Sequence, residues 1–242
     1  MSVTAILVLL LFSFGASFTQ RVTGFGFGIF IMTVLPHLMP AYGEATTLSG
    51  ILAIVCTITM TVEYWKYLEW KKLLPILVTF LIVSFFAVSL VAKIDSGLLK
   101  KVLGAILILV SVYFFFVSDR IRISPTLPVQ IGMGTLSGLM GGLFAMQGPP
   151  AVIYFLASTK TKEEYAALAS SYFIIGNVVM TVFRAQNGFV TPCVLKSALT
   201  GVPAVLLGIW LGSKVYHRMP IETMRKVVYA FLAVAGVIAL LG

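Results

Sequence analysis

A short polar stretch interrupts the apolar N-terminal part of the chain. Arg21 is the only charged side chain from Met1 to Gly43, and glycine follows it at alternate positions as Gly24, Gly26 and Gly28. A lone charge at membrane depth is costly and generally lies in a cavity or against a partner. Alternating glycines weaken a helix and let another group approach the backbone closely. We therefore expect this break to form half of an anion-binding site inside a membrane protein.

A second break lies in the other half of the chain. Ile123–Thr159 holds no charged side chain across 37 positions. As one helix, such a run would reach about 55 Å, nearly twice the hydrocarbon core of a bilayer. Gln147-Gly148-Pro149-Pro150 lies within it, and proline removes an amide donor and clashes with the preceding helical turn. We interpret each long apolar run as two helical legs joined at an interruption.

The composition indicates an integral membrane protein. Of the 242 residues, 60% are hydrophobic and 10% are charged, and the mean hydropathy is +1.06. Soluble domains carry roughly 25% charged residues. The net charge of +9 comes from short basic clusters between apolar runs, which is typical of loops at a membrane surface and not of nucleic-acid binding. Cys56 and Cys193 lie within or beside apolar segments, so no disulfide framework is expected.

The apolar runs predict an all-α bundle of about eight transmembrane segments, two of them broken or hairpin-like. Most runs are close to the roughly 20 residues that span a bilayer core. The runs are Val3–Leu35, Ala45–Val62, Leu73–Ala92, Val102–Ser118, Val129–Ala157, Tyr165–Phe183, Ser197–Ser213 and Val227–Leu241.

The bundle is expected to be duplicated. Lys93–Leu103 can be laid over Arg218–Val228, with basic residues on basic residues at three positions. The two breaks overlay at an offset near 121, which places Arg21 on Gly142 and Phe27 on Gly148. Each repeat then reads as a broken segment followed by three spanning helices, a pattern typical of transporters. We expect repeats at 1–120 and 121–242, which together form one transport domain.

The distribution of basic residues favours inverted repeats. If each long run crossed the membrane once, alternate connections would hold 9 and 7 Lys and Arg residues. If each run enters and returns, one side holds 11 and the other 5, with Arg21 left out as buried. The positive-inside rule prefers the second arrangement. It places both termini outside, with Lys71–Lys72 and Arg225–Lys226 facing the cytoplasm.

The two breaks have the chemistry of an anion site. Where a broken helix restarts, its first amides lack internal partners and carry the positive end of the helix dipole. Such ends bind carboxylate, phosphate or sulfate-like groups, and two of them could meet near the midplane of an inverted repeat. Arg21 would add a planar cationic fork suited to an oxyanion. The residues expected to bind the substrate are Gln20, Arg21, Thr23, Gly24, Gly26, Gly28, Met146, Gln147, Gly148, Pro149 and Pro150.

Both motifs resemble those of a known family. Gln20-Arg21-Val22-Thr23-Gly24-Phe25-Gly26-Phe27 is similar to the first-repeat signature of the TauE/SafE sulfite-exporter family, also called the toluenesulfonate uptake permeases. Gly141 to Pro150, the sequence GGLFAMQGPP, resembles its second-repeat signature. The resemblance extends over nearly the whole chain and implies transport of sulfite, sulfonates and related small organosulfur anions. Arg21, Ala145 and Gln147 stand where the family usually has glycine, which leaves the exact substrate open.

Several of these features also have a purely structural interpretation. Arg21 could extend to an interface from a hairpin tip, and Gln147 could bond a carbonyl freed by Pro149. Glu44 and Glu63 could carry a coupling proton or be solvated at an interface. Glycines also serve close helix packing in membranes; those for which we expect packing are Gly132, Gly134, Gly138, Gly141, Gly142, Gly201, Gly208 and Gly212.

Two further sets of polar residues lie near the ends of apolar runs. Arg184 and Gln186 could line an exit path or be solvated. His37 and His217 have no second ligand at usable spacing, so no metal site is expected.

Together, these features predict a secondary transporter of a small sulfur-containing anion, multi-pass in the cell inner membrane. No cofactor is expected, and nothing resembles the P-loop of an ATPase. The expected partners are the anion and the lipid bilayer; a coupling ion, proton or sodium, and the oligomeric state stay open. A passive anion channel and a transporter of a non-sulfur organic anion remain alternatives. An intramembrane enzyme is disfavoured because the apolar runs hold no Asp, Glu or Lys away from their ends. A structural subunit would leave the two polar breaks unexplained.

Overall fold

The computed structural model describes residues 2–116 and 125–218, together with Pro220 and Thr223. The last predicted segment, Val227–Leu241, and the side chains of Arg120, Arg122, Arg225 and Lys226 lie outside the described residues. The C-terminal half of the topology prediction is therefore not tested.

All regular elements in the described ranges are helices. Six of them are long and apolar enough to cross a membrane, namely α1, α4 with its following turn, α5, α7, α9 and α10, and α8 is a shorter apolar helix. This confirms the prediction of a multi-pass helical membrane protein. The helices are α1 Val3–Thr23, α2 Phe27–Ile31, α3 Leu35–Leu38, α4 Tyr42–Tyr64 (extended by a 3₁₀ turn at Trp65–Tyr67), α5 Trp70–Val91, α6 Ser96–Phe116, α7 Leu127–Phe144, α8 Gly148–Ser158, α9 Lys162–Gln186 and α10 Pro192–Arg218.

The outer surface of the bundle is apolar. Leu11 on α1, Ile82 on α5 and Leu199 on α10 are 66%, 58% and 76% exposed. In water such a surface would drive association, whereas in lipid it is the natural outer face of a helical bundle.

The first long run breaks at the glycines, as predicted. Helix α1 ends where Gly24 adopts a left-handed conformation (φ 82°) and its N–H donates to the Gln20 carbonyl at 2.8 Å. Gly26 is also left-handed (φ 100°) and precedes α2. Glycine is needed at both positions because other residues rarely adopt such angles.

The second long run breaks in the same way, but with an alanine. Ala145 is left-handed (φ 56°), and its N–H donates to the Gly141 carbonyl at 3.0 Å. Ala145 is 121 positions after Gly24, and Gly141 is 121 after Gln20, so both helices end with the same hydrogen bond at the predicted offset. Helix α8 then starts at Gly148 with Pro149 and Pro150 in its first turn, where prolines are tolerated.

Contacts between the helices show the direction of each leg in the first half. Cys56 on α4 lies beside the Ser17 carbonyl of α1, and Glu63 farther along α4 pairs with Arg21 farther along α1. Helices α1 and α4 are therefore parallel, and the intervening α2 and α3 bring the chain back across the bundle. The first long run therefore enters the bundle at one end and returns to that same end before α4 begins.

The second half enters from the opposite end of the bundle. Near the start of α7, Gln130 donates to the Tyr154 hydroxyl (2.7 Å), which donates to the Lys72 carbonyl (3.1 Å). Lys72 lies at the end of the bundle where α1 and α4 finish. These directions are the ones that inverted repeats require, although the repeat itself stays a prediction.

Glycines allow the closest helix contacts. Helix α10 packs on α1 through Gly201, Gly208 and Gly212, and α7 packs on α5 through Gly134, Gly138 and Gly142. A Cβ on Gly134 would lie 2.7 Å from the Ile76 carbonyl oxygen, and one on Gly212 would lie 2.8 Å from the Arg21 Cβ. The packing interpretation is confirmed for these six glycines. A Cβ on Gly132 would meet no atom of the described residues within 4 Å, so helix packing does not explain this glycine. A Cβ on Gly141 would lie against the Gln147 side chain.

Candidate functional site

The two breaks touch each other. A Cβ on Gly28, at the start of α2, would overlap the carbonyl oxygen of Ala145 at the end of α7. Backbone therefore lies directly against backbone, an approach that only glycine permits. Two interruptions more than 100 positions apart in the chain meet in the interior of the bundle.

A cavity opens at this contact. The space between the surrounding atoms, including the part that is open to the outside, is about 350 Å³, and the enclosed part is much smaller. Its walls come from the two breaks and from the long helices α4 and α9, which pack against each other. The lining residues are Gln20, Gly26, Phe27, Gly28, Ile29, Ser49, Ala53, Ala145, Met146, Gln147, Gly148, Phe173 and Asn177.

Six of the eleven predicted binding residues line this cavity. They are Gln20, Gly26, Gly28, Met146, Gln147 and Gly148. The other five, Arg21, Thr23, Gly24, Pro149 and Pro150, lie near the breaks but are not part of the lining. All eleven assignments to substrate binding stay predictions.

Gln20 and Thr23 are engaged with the backbone of the first break. The Gln20 Oε1 accepts a hydrogen bond from the Phe27 N–H at 3.0 Å and so satisfies the start of α2. The Thr23 hydroxyl donates to the carbonyls of Thr19 and Phe25, at 2.8 and 2.6 Å. Both side chains hold the shape of the break, but the Gln20 Nε2 forms no hydrogen bond among the described residues and keeps its two donors available beside the cavity.

Two linked hydroxyl groups hold the backbone of the second break. The Ser137 hydroxyl donates to the Gln147 carbonyl, and the Tyr172 hydroxyl donates to Ser137 at 2.7 Å. These hydroxyl groups satisfy the Gln147 carbonyl, for which lipid offers no hydrogen-bond donor. Because Pro149 and Pro150 have no N–H groups, the start of α8 offers fewer backbone donors than we expected for a restarted helix.

The side chain of Gln147 takes no part in these hydroxyl hydrogen bonds. It is 5% exposed, and its Oε1 has no hydrogen-bond partner among the described residues. Gly141 and Gly176 leave room for it, since a Cβ on either would lie within 3.4 Å of the Gln147 Oε1. The alternative role, bonding a carbonyl freed by Pro149, is not seen, because the Gln147 carboxamide forms no hydrogen bond among the described residues. Gln147 therefore has hydrogen-bonding capacity beside the cavity.

Sequence reasoning missed the two polar residues that the long helices contribute. Ser49 on α4 and Asn177 on α9 are buried and line the cavity. Asn177 was detectable as the one carboxamide inside the apolar run Tyr165–Phe183. Ser49 gave no such signal, because small hydroxyl residues are common in membrane helices.

Arg21 is paired with an acid outside the cavity lining. Its Nη2 forms an ion pair with the Glu63 carboxylate, and its Nε donates to the Ser213 hydroxyl at 2.8 Å. The guanidinium carbon also lies 6.0 Å from the centre of the Tyr216 ring. With Arg21 only 3% exposed, these contacts join α1, α4 and α10. Its charge is paired and it does not lie at an exposed interface, while its Nη1 has no partner among the described residues, so its assignment to substrate binding stays a prediction.

Arg184 is the second buried arginine, and no acid pairs with it. It is 1% exposed, which rules out the solvated position considered for it. Its Nη2 donates to the Gly141 carbonyl at 3.0 Å, while Nε and Nη1 have no partner. Within the part of the chain that the structure describes, no carboxylate lies within 4.0 Å of it.

Six apolar spans and two broken segments that meet at a buried polar cavity define a helical membrane protein built like a secondary transporter. The chain belongs to the sulfite exporter TauE/SafE family, whose model matches residues 9–238.

Two curated relatives agree with this assignment. The chain is 23% identical over 232 residues to the probable sulfite/organosulfonate exporter TauE of Cupriavidus necator, covering 91% of this chain and 88% of that protein. It is 27% identical over 190 residues to a probable membrane transporter protein of Methanocaldococcus jannaschii, covering 73% and 70%. No solved structure matches.

Proposed function

We propose that this protein is a secondary transporter that moves a small sulfur oxyanion or organosulfonate, such as sulfite or sulfoacetate, across the cell inner membrane. The observation that carries the proposal is the cavity at the contact between the two breaks, where the Gln147 side chain has no partner of its own. The named activity of the Cupriavidus relative supports the choice of sulfur anions.

The lining of the cavity suits a sulfonate. The carboxamides of Gln147 and Asn177 and the hydroxyl of Ser49 can donate hydrogen bonds to the oxygens of a sulfonate or sulfite group. Phe173 and Ala53 offer an apolar wall for a short carbon chain. A cavity with a few polar groups among apolar ones binds a small amphipathic anion in one orientation.

The direction of transport can be approached from electrostatics. An inside-negative potential favours the exit of an anion by about 2.3 kcal/mol per charge per 100 mV. Export therefore needs no coupling ion, whereas uptake against the potential needs a proton or sodium ion. We propose export, with the end of the bundle that holds Lys66, Lys71 and Lys72 facing the cytoplasm.

This orientation can be tested with single cysteines. Cysteines at Ser2 and Lys71, in a background that lacks Cys56 and Cys193, should label from opposite sides of the membrane. Labelling from the same side would contradict the entering-and-returning path of the first long run.

The proposed activity is tested in proteoliposomes by electrophysiology on a solid-supported membrane. Wild-type protein should give a transient current with methanesulfonate and sulfite and a smaller one with acetate. Transport that requires a proton or sodium gradient would favour the coupled mechanism. Continuous conductance that follows only the potential would favour the passive channel. Proteoliposomes that respond to none of the sulfur anions would contradict the proposal.

A further inference from the structure

Arg184 has a position that neither the fold nor the cavity lining explains. It lies in the last turn of α9, from which a short connection leads to α10. Side chains on a helix point back toward its N-terminus. The guanidinium therefore reaches from the end of α9 toward the centre of the bundle, as its 3.9 Å contact with the Met180 sulfur shows.

This reach brings the guanidinium next to the cavity wall. A Cβ on Gly50 would lie 2.9 Å from the Arg184 Nη1 and 3.9 Å from the Asn177 Oδ1. Asn177 lines the cavity, and so does Ser49, the chain neighbour of Gly50. On the other side, Arg184 bonds the carbonyl of Gly141, against which the Gln147 side chain packs. The Arg184 guanidinium is therefore separated from the cavity by a single side chain on each of two sides, Asn177 on one and Gln147 on the other.

A second observation is that no acid among the described residues pairs with Arg184. A buried guanidinium without a counter-ion is costly, and proteins normally pair such groups. This chain pairs Arg21 with Glu63. Among the described residues, the hydrogen-bond partners of the Arg184 guanidinium are the Gly141 carbonyl and the Met180 sulfur, and the nearby Tyr42 hydroxyl is also buried without a partner. Glu44, the acid at the start of α4, forms no ion pair with it, so no carboxylate in the described part of the chain directly balances Arg184.

We propose that the transported anion itself is the counter-charge of Arg184. On this proposal, which rests on the proposed function, Arg184 acts through the wall formed by Asn177 and Gln147. From its position toward the end of the bundle opposite Lys72, Arg184 attracts an anion that enters from the Lys72 end into the cavity, and the neutral amides make the direct contacts. Arg184 is thus a positioning residue that determines the preference for a charged substrate.

The test compares an anion with a neutral molecule of the same shape. Methanesulfonate and methanesulfonamide differ mainly in charge at neutral pH. Their dissociation constants are measured by calorimetry for the full-length wild type, Arg184→Gln and Arg184→Lys in nanodiscs. Arg184→Gln should weaken methanesulfonate binding roughly 10- to 100-fold, as expected for one charge interacting through the protein interior. Methanesulfonamide binding should change less than about 3-fold, and Arg184→Lys should restore most of the preference for the anion.

Two controls separate charge from structure. Lys196→Gln removes one positive charge from the exposed start of α10 at the same end of the bundle and should leave the preference unchanged. The melting temperature of ligand-free Arg184→Gln should equal or exceed that of wild type, because an unpaired buried charge has been removed.

The proposal is overturned if Arg184→Gln weakens both ligands equally, which would indicate a structural role, or weakens neither. It is also overturned if the ligand-free variant is clearly less stable than wild type. If the wild type itself binds no sulfur anion, it is the proposed function that fails.

Discussion

Two buried arginines occupy the two ends of this molecule, and their surroundings differ. Arg21 lies beside the first break and pairs with Glu63, whereas Arg184 lies behind the second break with no acid within 4.0 Å among the described residues. At the offset of 121, Glu63 corresponds to Arg184, so the predicted repeat has an acid in one half where the other has a base. The comparison teaches that a buried charge next to a glycine-rich break can already be paired within the protein. What matters is whether the protein already balances it.

The same contrast appears in the backbone. The first break uses Gly24 and Gly26 in left-handed conformations, while the second uses Ala145, which pays a steric penalty there. The first break is held by its own side chains, Gln20 and Thr23. The second is held by the hydroxyls of Ser137 on α7 and Tyr172 on α9, which leaves the Gln147 side chain unengaged.

The largest effect should come from separating the two breaks. Gly28→Ala places a methyl group onto the Ala145 carbonyl oxygen. We expect a loss of about 3 kcal/mol or more, the upper end for overpacking, because a backbone atom cannot move aside easily. Unfolding of the purified protein in detergent measures this, with Gly132→Ala as the control, since Gly132 has open space around it. Equal stability of the two variants would contradict the contact between the halves.

Removing one member of the Arg21–Glu63 pair should have the next largest effect. Arg21→Gln leaves the Glu63 carboxylate with only the exposed His217 beside it, at 3.6 Å, and we expect a loss of about 2–4 kcal/mol, moderated because Glu63 reaches water. The double variant Arg21→Gln/Glu63→Gln should regain part of the loss. If Arg21→Gln is as stable as wild type and instead loses its substrate, the residue is a ligand, as the sequence suggested.

The local features of the breaks were predictable from sequence, because they follow from backbone chemistry. Glycine at 24 and 26 and the prolines at 149 and 150 mark where a helix cannot continue. Charge counting also favoured the path in which each long run enters and returns.

Partners distant in the chain were not predictable. Glu63 is 42 positions from Arg21, and Asn177 is 30 from Gln147. Without a known helix packing, one sequence does not show which buried arginine meets an acid. This is why Arg21 was expected in the site and Arg184 was not.

A smaller effect is expected at the cavity wall. Gln147→Ala should weaken binding of methanesulfonate by about 1–3 kcal/mol, the range for losing a hydrogen-bond partner in a buried site. The ligand-free protein should not be destabilised, since the Gln147 side chain has no partner to lose. Calorimetry and thermal unfolding, measured side by side, check both parts. Unchanged affinity together with reduced stability would make Gln147 a structural residue.

The smallest effect should be a stabilisation. Ala145→Gly relieves the left-handed conformation of Ala145, which costs about 1–2 kcal/mol for a residue with a Cβ. The extra freedom of glycine in the unfolded chain offsets part of this, so we expect a gain of about 0.5–1 kcal/mol. Gly24→Ala should lower the free energy of unfolding, because it adds a Cβ to a left-handed position. Stabilisation by Gly24→Ala would contradict the equivalence of the two helix ends.

The central claim is that the substrate anion binds where the two breaks meet. The most direct measurement is the anomalous scattering of bromine in crystals of the protein grown with 2-bromoethanesulfonate. We predict one bromine peak inside the cavity, near Phe173 and Ala53, with sulfonate density toward Gln147 and Asn177 on the side of Arg184. A peak beside Arg21, or peaks only on the outer surface with an empty cavity, would contradict the claim.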